Sequence, residues 1–276
     1  MKMTALVENK AGEGFTGEHG LSVYIEYEDH KILLDTGTTG LYAQNAVKLG
    51  IDLSQVDMAI LSHAHYDHSG GYEEFFAVNP KASVYLQESC RENCYRNSQD
   101  GKKYIGIPRG LLEKYADRFT YVHGDMQPDG GIYLIAHHTP DLALTGQRAG
   151  MYRQEDGQWK NDDFSHEQSL VFETSRGLII FNSCCHAGAD VIIKEVRQRF
   201  NDRFVYAIIG GFHLKDIMNL GEEGAARVRE LGESLRALDV PNIYTGHCTG
   251  IRAFALLEEI LGGRIHYFKT GDTVIL

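Results

Sequence analysis

The segment Leu61-Ser62-His63-Ala64-His65-Tyr66-Asp67-His68-Ser69-Gly70-Gly71 gathers three imidazoles and a carboxylate within six residues. His63 and His65 are two apart, so an extended loop aims both rings at one metal ion. Asp67 and His68 come a tight turn later and face a second ion nearby. Zinc and ferrous iron accept imidazole and carboxylate together, which is the donor set offered here. Two ions sharing a water lower its pKa toward neutrality and supply hydroxide as a nucleophile. A solitary His is ordinarily packed or solvated. Three His and an Asp, set between a buried apolar run and Gly-Gly, read as a metal centre.

Elements on either side must hold that loop. Leu21–Tyr27 alternates like a strand, Glu28-Asp29-His30 turns, and Lys31–Asp35 returns. Asp35-Thr36-Gly37 ends the second strand in a tight loop. Leu41–Leu49 has helical spacing and stops at Gly50. Met58–Ser62 is a short buried strand running into the His cluster, Tyr72–Val78 is the next helix, and Ala82–Leu86 the next strand. Later, Ser169–Thr174 and Gly177–Phe181 form a hairpin around Ser175-Arg176. A helix near Asp190–Phe200, a strand Arg203–Ile209, a helix Glu222–Leu238, a strand Asn242–Thr245 and a helix Ile251–Leu261 follow. Strands alternating with helices mean an α/β fold. Several strands end in a His, and α/β proteins place their sites at carboxyl ends of strands.

Composition sets bounds on the rest. The 276 residues are 43% hydrophobic and 24% charged with a formal charge of −11, which excludes disorder and a disulfide scaffold. Apolar runs such as Gly177–Phe181 are strand-sized, far short of the roughly 18 residues of a membrane helix. Met3–Val7 is too short for a signal peptide, with Glu8 and Lys10 close behind. Thirty-eight acids against 27 Lys and Arg argue against a partner held through phosphates, such as DNA or RNA. Five cysteines, with Cys184 and Cys185 adjacent, suit a reducing cytoplasm. Cys90 and Cys94, four apart in a helical-looking stretch, would share a helix face, as packed or exposed thiols rather than the weak metal pair that is the alternative.

Residues 91–165 break the alternation and read as an inserted lid or loop region within a single domain spanning 1–276. Positions 91–118 hold seven basic residues against four acids, a local reversal of sign. This is either a solvated face or an anion-binding lid in which Arg91, Arg96 and Arg109 meet a substrate carboxylate or phosphate. His137-His138 follow the strand Ile132–Ala136 and read as structural or lid residues.

His63-x-His65-x-Asp67-His68 followed by Gly-Gly, with Asp35-Thr36-Gly37 upstream, resembles the signature of the metallo-β-lactamase superfamily. The resemblance implies a four-layer αββα sandwich of two similar halves with a dinuclear metal centre along one edge. It further implies that His166, before the Ser169–Phe181 hairpin, completes the first metal's imidazoles, and that Cys184, after it, stands where many members place a bridging Asp. His247, at a late strand end, matches the last ligand, so that Asp67, His68 and His247 hold the second metal. Two divalent ions are expected, zinc first, with iron or manganese as alternatives. Asp35 reads as a residue behind the ligands: it accepts from an imidazole N–H or from amides of the His loop, or simply forms the turn with its Gly.

Ser183-Cys184-Cys185-His186-Ala187-Gly188, Gly210-Gly211-Phe212-His213-Leu214 and Gly246-His247-Cys248-Thr249-Gly250 resemble a narrower branch, the dihydropterin ribofuranosyl-aminobenzene phosphate synthase-like proteins. There His186 is either a ligand in place of Cys184 or a group polarising the substrate. His213 is a substrate contact or a packed residue. The resemblance implies a metal-dependent hydrolase of an ester, lactone, thioester or phosphoester small molecule, with Asp67 orienting the hydroxide and taking its proton. His186 or His213 would steady the oxyanion. The alternative is a dihydropterin-type transferase condensing with loss of diphosphate. A nuclease and a non-catalytic metal-binding sensor are lesser readings.

Overall fold

A computed structural model describes residues 1–276. The chain divides into two compact units, the first made of Met1–His123, Ala143–Glu167 and Lys269–Leu276, the second of Gly124–Leu142 and Gln168–Phe268.

The first unit is built on a seven-stranded sheet ordered Thr273–Ile275, Lys2–Val7, Ser22–Tyr27, His30–Leu34, Met58–Ile60, Ser83–Gln87 and Phe119–Val122. Ser22–Tyr27 and His30–Leu34 form the expected hairpin, with Tyr27 opposite His30 and Glu28 in the left-handed region at the turn. From His30–Leu34 onward the pairing is parallel, which demands crossovers. The helices Leu41–Lys48 and Tyr72–Val78 supply two of them. Tyr72, Phe75 and Phe76, spaced i, i+3, i+4, are all buried and pack with Tyr42, Leu33, Ala59 and Val84. The parallel register sets Leu34 against Ile60, so the chain leaving each strand arrives at one place: Asp35 N–H donates to the Ile60 carbonyl at 2.9 Å. Gly70 follows at close quarters, since a Cβ there would run into the Thr38 carbonyl.

The second unit has its own seven-stranded sheet, ordered Ile265–Tyr267, Asn242–Thr245, Val205–Ile209, Gly177–Phe181, Gln168–Thr174, Ile132–Ala136 and Met126–Asp129. Helices Ala189–Arg199, Glu222–Ala237 and Ile251–Leu261 connect or flank its parallel strands and bury Ile192, Ile193, Val196, Val228, Leu235 and Leu257 in one cluster. Three adjacent parallel strands, Gly177–Phe181, Val205–Ile209 and Asn242–Thr245, end at Asn182, Gly210 and Gly246. Their carboxyl ends therefore deliver Cys184, His213 and His247 from neighbouring loops.

The stretch 91–165 supplies strands to all three sheets of the protein. Phe119–Val122 joins the first sheet, while Met126–Asp129 and Ile132–Ala136 join the second unit's sheet. Cys94–Ser98, Gly101–Tyr104, Met151–Glu155 and Gln158–Asn161 make a separate four-stranded antiparallel sheet in the first unit. The helix expected across Cys90 and Cys94 is absent: Cys90 lies in a turn and Cys94 opens a strand. Strand pairing with Met151–Glu155 overrides the local spacing there, and both thiols are fully buried. No helix is long and apolar enough to cross a membrane.

Candidate metal centre

In the first unit the His loop hangs from Asp35. Its carboxylate is fully buried, in left-handed backbone at φ 58°, and it holds two imidazoles in different ways. His68 Nδ1 donates directly to Oδ2 at 2.7 Å. Ser62 Oγ donates to the same oxygen at 2.7 Å and accepts from His63 Nδ1 at 2.8 Å. The Ser62 amide fills Oδ1 at 2.7 Å. With the proton on Nδ1 of both rings, Nε2 carries the lone pair, the form a metal requires.

The three loop imidazoles stand together. The His63 ring centroid is 4.2 Å from that of His68 and 4.6 Å from that of His65. Asp67 Oδ2 lies 3.8 Å from His68 Nε2 and 3.2 Å from His19 Nε2. The small sheet braces the loop from outside, with the Tyr66 amide donating to the Ile105 carbonyl at 2.9 Å and a bridge between His65 and Gly106. Burial and the neighbouring His166 push the His65 imidazole down to about 3, against the pull of Asp162, so the ring is neutral.

His166 lies beside this loop with both nitrogens engaged. The Ala64 amide donates to Nδ1 at 3.2 Å, which leaves the proton on Nε2, and Nε2 donates to Asp162 Oδ2 at 3.2 Å. Cys94 Sγ is 3.7 Å from Nε2, and the Arg153 guanidinium reaches Asp162 Oδ1 at 3.7 Å. Burial raises the Asp162 carboxyl, but the neighbouring His166, with its hydrogen bond, and His65 prevail and bring it down to about 2.

In the second unit the donor atoms of Cys184, His247 and Cys248 lie within 4.8 Å of one another, and so do those of Cys184, His186 and His213. The Cys184 and Cys248 sulfurs are 3.4 Å apart, and the His213 amide donates to Cys248 Sγ at 3.2 Å. The His186 and His213 rings are 4.5 Å apart. His213 and His247 both take left-handed backbone, φ 49° and 48°. Burial opposes the Cys248 thiolate, yet the Cys184 hydrogen bond and the adjacent His247 and His213 hold its pKa well below the usual thiol value.

The three arginines of the basic stretch have different partners. Arg91 donates to the Glu88 and Cys90 carbonyls and stacks on Tyr121. Arg109 lies over the Tyr104 ring and donates to Tyr95 Oη at 2.8 Å. Arg96 leaves its strand on the face opposite Tyr95 and acts electrostatically on Tyr66 of the His loop. His137 is buried between Glu195 and Ser169, a structural place in the second sheet.

The chain is 30% identical to the 7,8-dihydropterin-6-methyl-4-(β-D-ribofuranosyl)-aminobenzene-5'-phosphate synthase of Methanocaldococcus jannaschii, over 94% of this chain and 91% of that protein. The model of the metallo-β-lactamase superfamily matches residues 15–149. The chain belongs to the metallo-β-lactamase superfamily. Tm1679, a solved structure described as a metal-dependent hydrolase of the β-lactamase superfamily, has 26% identity and a TM-score of 0.83, covering 100% of this chain and 99% of that one. The zinc-bound PqqB of Methylobacterium extorquens shares the fold at TM-score 0.58 and 11% identity, covering 100% of each chain. The α/β fold expected from the strand–helix alternation is thus the metallo-β-lactamase fold.

The donors of this metallo-β-lactamase relative suit a divalent cation in both units: imidazoles with Nε2 presented in the first, thiols and imidazoles in the second. Ser62, His19, Asp162 and Cys248 are contacts that motif reading did not assign. Ser62 and Cys248 flank motif histidines by one residue, and Asp162 stands four before His166; those spacings were the available signals.

Proposed function

We propose that the protein is a metal-dependent hydrolase of an ester, lactone, thioester or phosphoester small molecule. The observation that carries this reading is the Asp35 carboxylate, which fixes His68 directly and His63 through Ser62. His63, His65, Asp67, His68, Cys184 and His247 are assigned as ligands of two divalent ions, zinc first. Bound there, the ions supply Lewis acidity toward a carbonyl or phosphoryl oxygen and ease loss of a proton from water. Asp67 would be the group to accept a proton there, and His19 Nε2, 3.2 Å away, holds its carboxylate in place. An N–H of His186 or His213 donates to the developing oxyanion. The bonds at both His166 nitrogens support a positioning role, in which it ties Asp162 to the Ala64 amide of the His loop.

Arg96 is assigned to a remote anionic group of the substrate, as part of the basic stretch 91–118 whose positive charge acts on Tyr66 of the His loop. The adjacency of Cys184 and Cys185 in a chain of five cysteines is the basis for assigning a reducing, cytoplasmic setting. Chelator-treated protein should regain hydrolysis on adding zinc, manganese or iron, and Asp67→Ala should not. Activity that survives thorough chelation would sink the reading.

The extended similarity to a synthase favours a second reading, condensation of a dihydropterin diphosphate with an amine or carbon nucleophile and loss of diphosphate. Phosphorus NMR separates the two: diphosphate release that requires the second substrate means transfer, and release in water alone means hydrolysis.

A further inference from the structure

Cys248 stands one residue beyond His247, in the short helical turn His247–Thr249 that follows the strand Asn242–Thr245. Its side chain returns toward Cys184, from the loop after a strand two places away in the sheet. We propose that Cys248 is itself a metal ligand, so that Cys184, His247 and Cys248 together offer one ion two thiolates and an imidazole. The inference rests on the metal reading above and adds to it a ligand and a metal preference.

The geometry is that of a site with little left to rearrange. The three donor atoms lie within 4.8 Å of one another. Two sulfurs bound to one tetrahedral zinc at about 2.3 Å stand roughly 3.8 Å apart. The observed 3.4 Å needs only a few tenths of an ångström of opening. The His213 amide, 3.2 Å from Cys248 Sγ, donates into the sulfur as a neighbour that orients a thiolate does. Gly211 keeps the space open, because a Cβ there would collide with that sulfur. The left-handed backbone of His247, φ 48°, turns the chain so that consecutive residues contribute to one donor group.

Two thiolates are soft donors, so this position should prefer zinc, cobalt or cadmium over magnesium or manganese. The test uses metal-free protein, prepared under reducing conditions and loaded with cobalt(II), whose sulfur charge-transfer absorption in the near ultraviolet reports thiolate ligands. Wild type and Cys185→Ser should show the full band. Cys184→Ser and Cys248→Ser should each lose about half of it, and the double variant all of it. Cobalt bound with an undiminished band in Cys248→Ser overturns the inference and leaves the metal reading standing. No cobalt bound by the wild type overturns both. Should a variant fail to fold, cadmium-113 NMR of the wild type decides: a resonance in the two-thiolate range supports the assignment, and bound cadmium without one overturns it.

Discussion

The carboxylate of Asp35 and the imidazole of His68, both fully buried, are joined by a 2.7 Å hydrogen bond from Nδ1 to Oδ2. The strand His30–Leu34 ends at that acid, and the strand Met58–Ile60 beside it runs into the His loop. One parallel strand pair therefore sets the angle of the loop imidazoles before any metal arrives. Asp35→Asn should weaken zinc binding by about 10–100-fold, the usual cost of losing a partner behind a metal ligand. Competition with a chromophoric chelator measures this. An unchanged affinity in a folded variant would show that the bond only shapes the turn.

His166 discriminates between a ligand and a positioning residue. His166→Gln should retain the metal content of the wild type while turnover falls, whereas His63→Ala should lose metal. Elemental analysis after gel filtration gives the answer, and loss of an equivalent from the Gln variant would return His166 to the ligand set.

Asp162 gives a pH signature in metal-free protein. Its folded pKa, about 2, lies below the ordinary 3.8, so the ionised form is favoured by folding. That stability is complete above the unfolded pKa and disappears as pH falls through about 2. Asp162→Asn should therefore destabilise the metal-free protein above the unfolded pKa, where the ionised carboxylate is the favoured form. The gap to wild type should close progressively below pH 4. Urea unfolding at pH 7 and pH 3 tests the slope; a gap that does not change with pH would contradict it.

Gly70 is closed in by the Thr38 carbonyl. Gly70→Ala should destabilise the protein by about 1–3 kcal/mol as the loop backs away from its neighbour. Thermal melting measures the loss, and a wild-type melting temperature would mean that the loop yields freely.

Of the three arginines, Arg96→Ala should raise the Michaelis constant for a phosphorylated substrate more than Arg109→Ala does. The Arg109 guanidinium is engaged by Tyr104 and Tyr95, and the charge of Arg96 acts on Tyr66 of the His loop. Equal effects on a neutral ester would point to a general change in the small sheet.

Much of the fold was legible in the chain itself. The helix Tyr72–Val78, the strands Gly177–Phe181 and Asn242–Thr245 and the helix Ile251–Leu261 have the bounds that their spacing and Gly stops foretell. Buried faces repeat with the period of their element, and that period is written locally. The four-stranded small sheet was not legible, because Cys94–Ser98 and Gly101–Tyr104 are mostly polar, half-exposed strands without alternation. The pairing that joins the two hairpins, Cys94–Ser98 against Met151–Glu155, spans about fifty residues, beyond the reach of any local pattern.

By itself the sequence brought four candidate donors together: the spacing of His63, His65, Asp67 and His68 needs only a strand end and a tight turn to make a donor set. Tertiary structure alone decided who stands behind and beside them. Asp35 reaches Ser62 and His68 through strand pairing across some thirty positions. Asp162 and Cys94 meet at His166, and Cys248 meets Cys184 across 64 positions. A hydrogen bond or a sulfur contact depends on tenths of an ångström, and only the packed chain sets distances that fine.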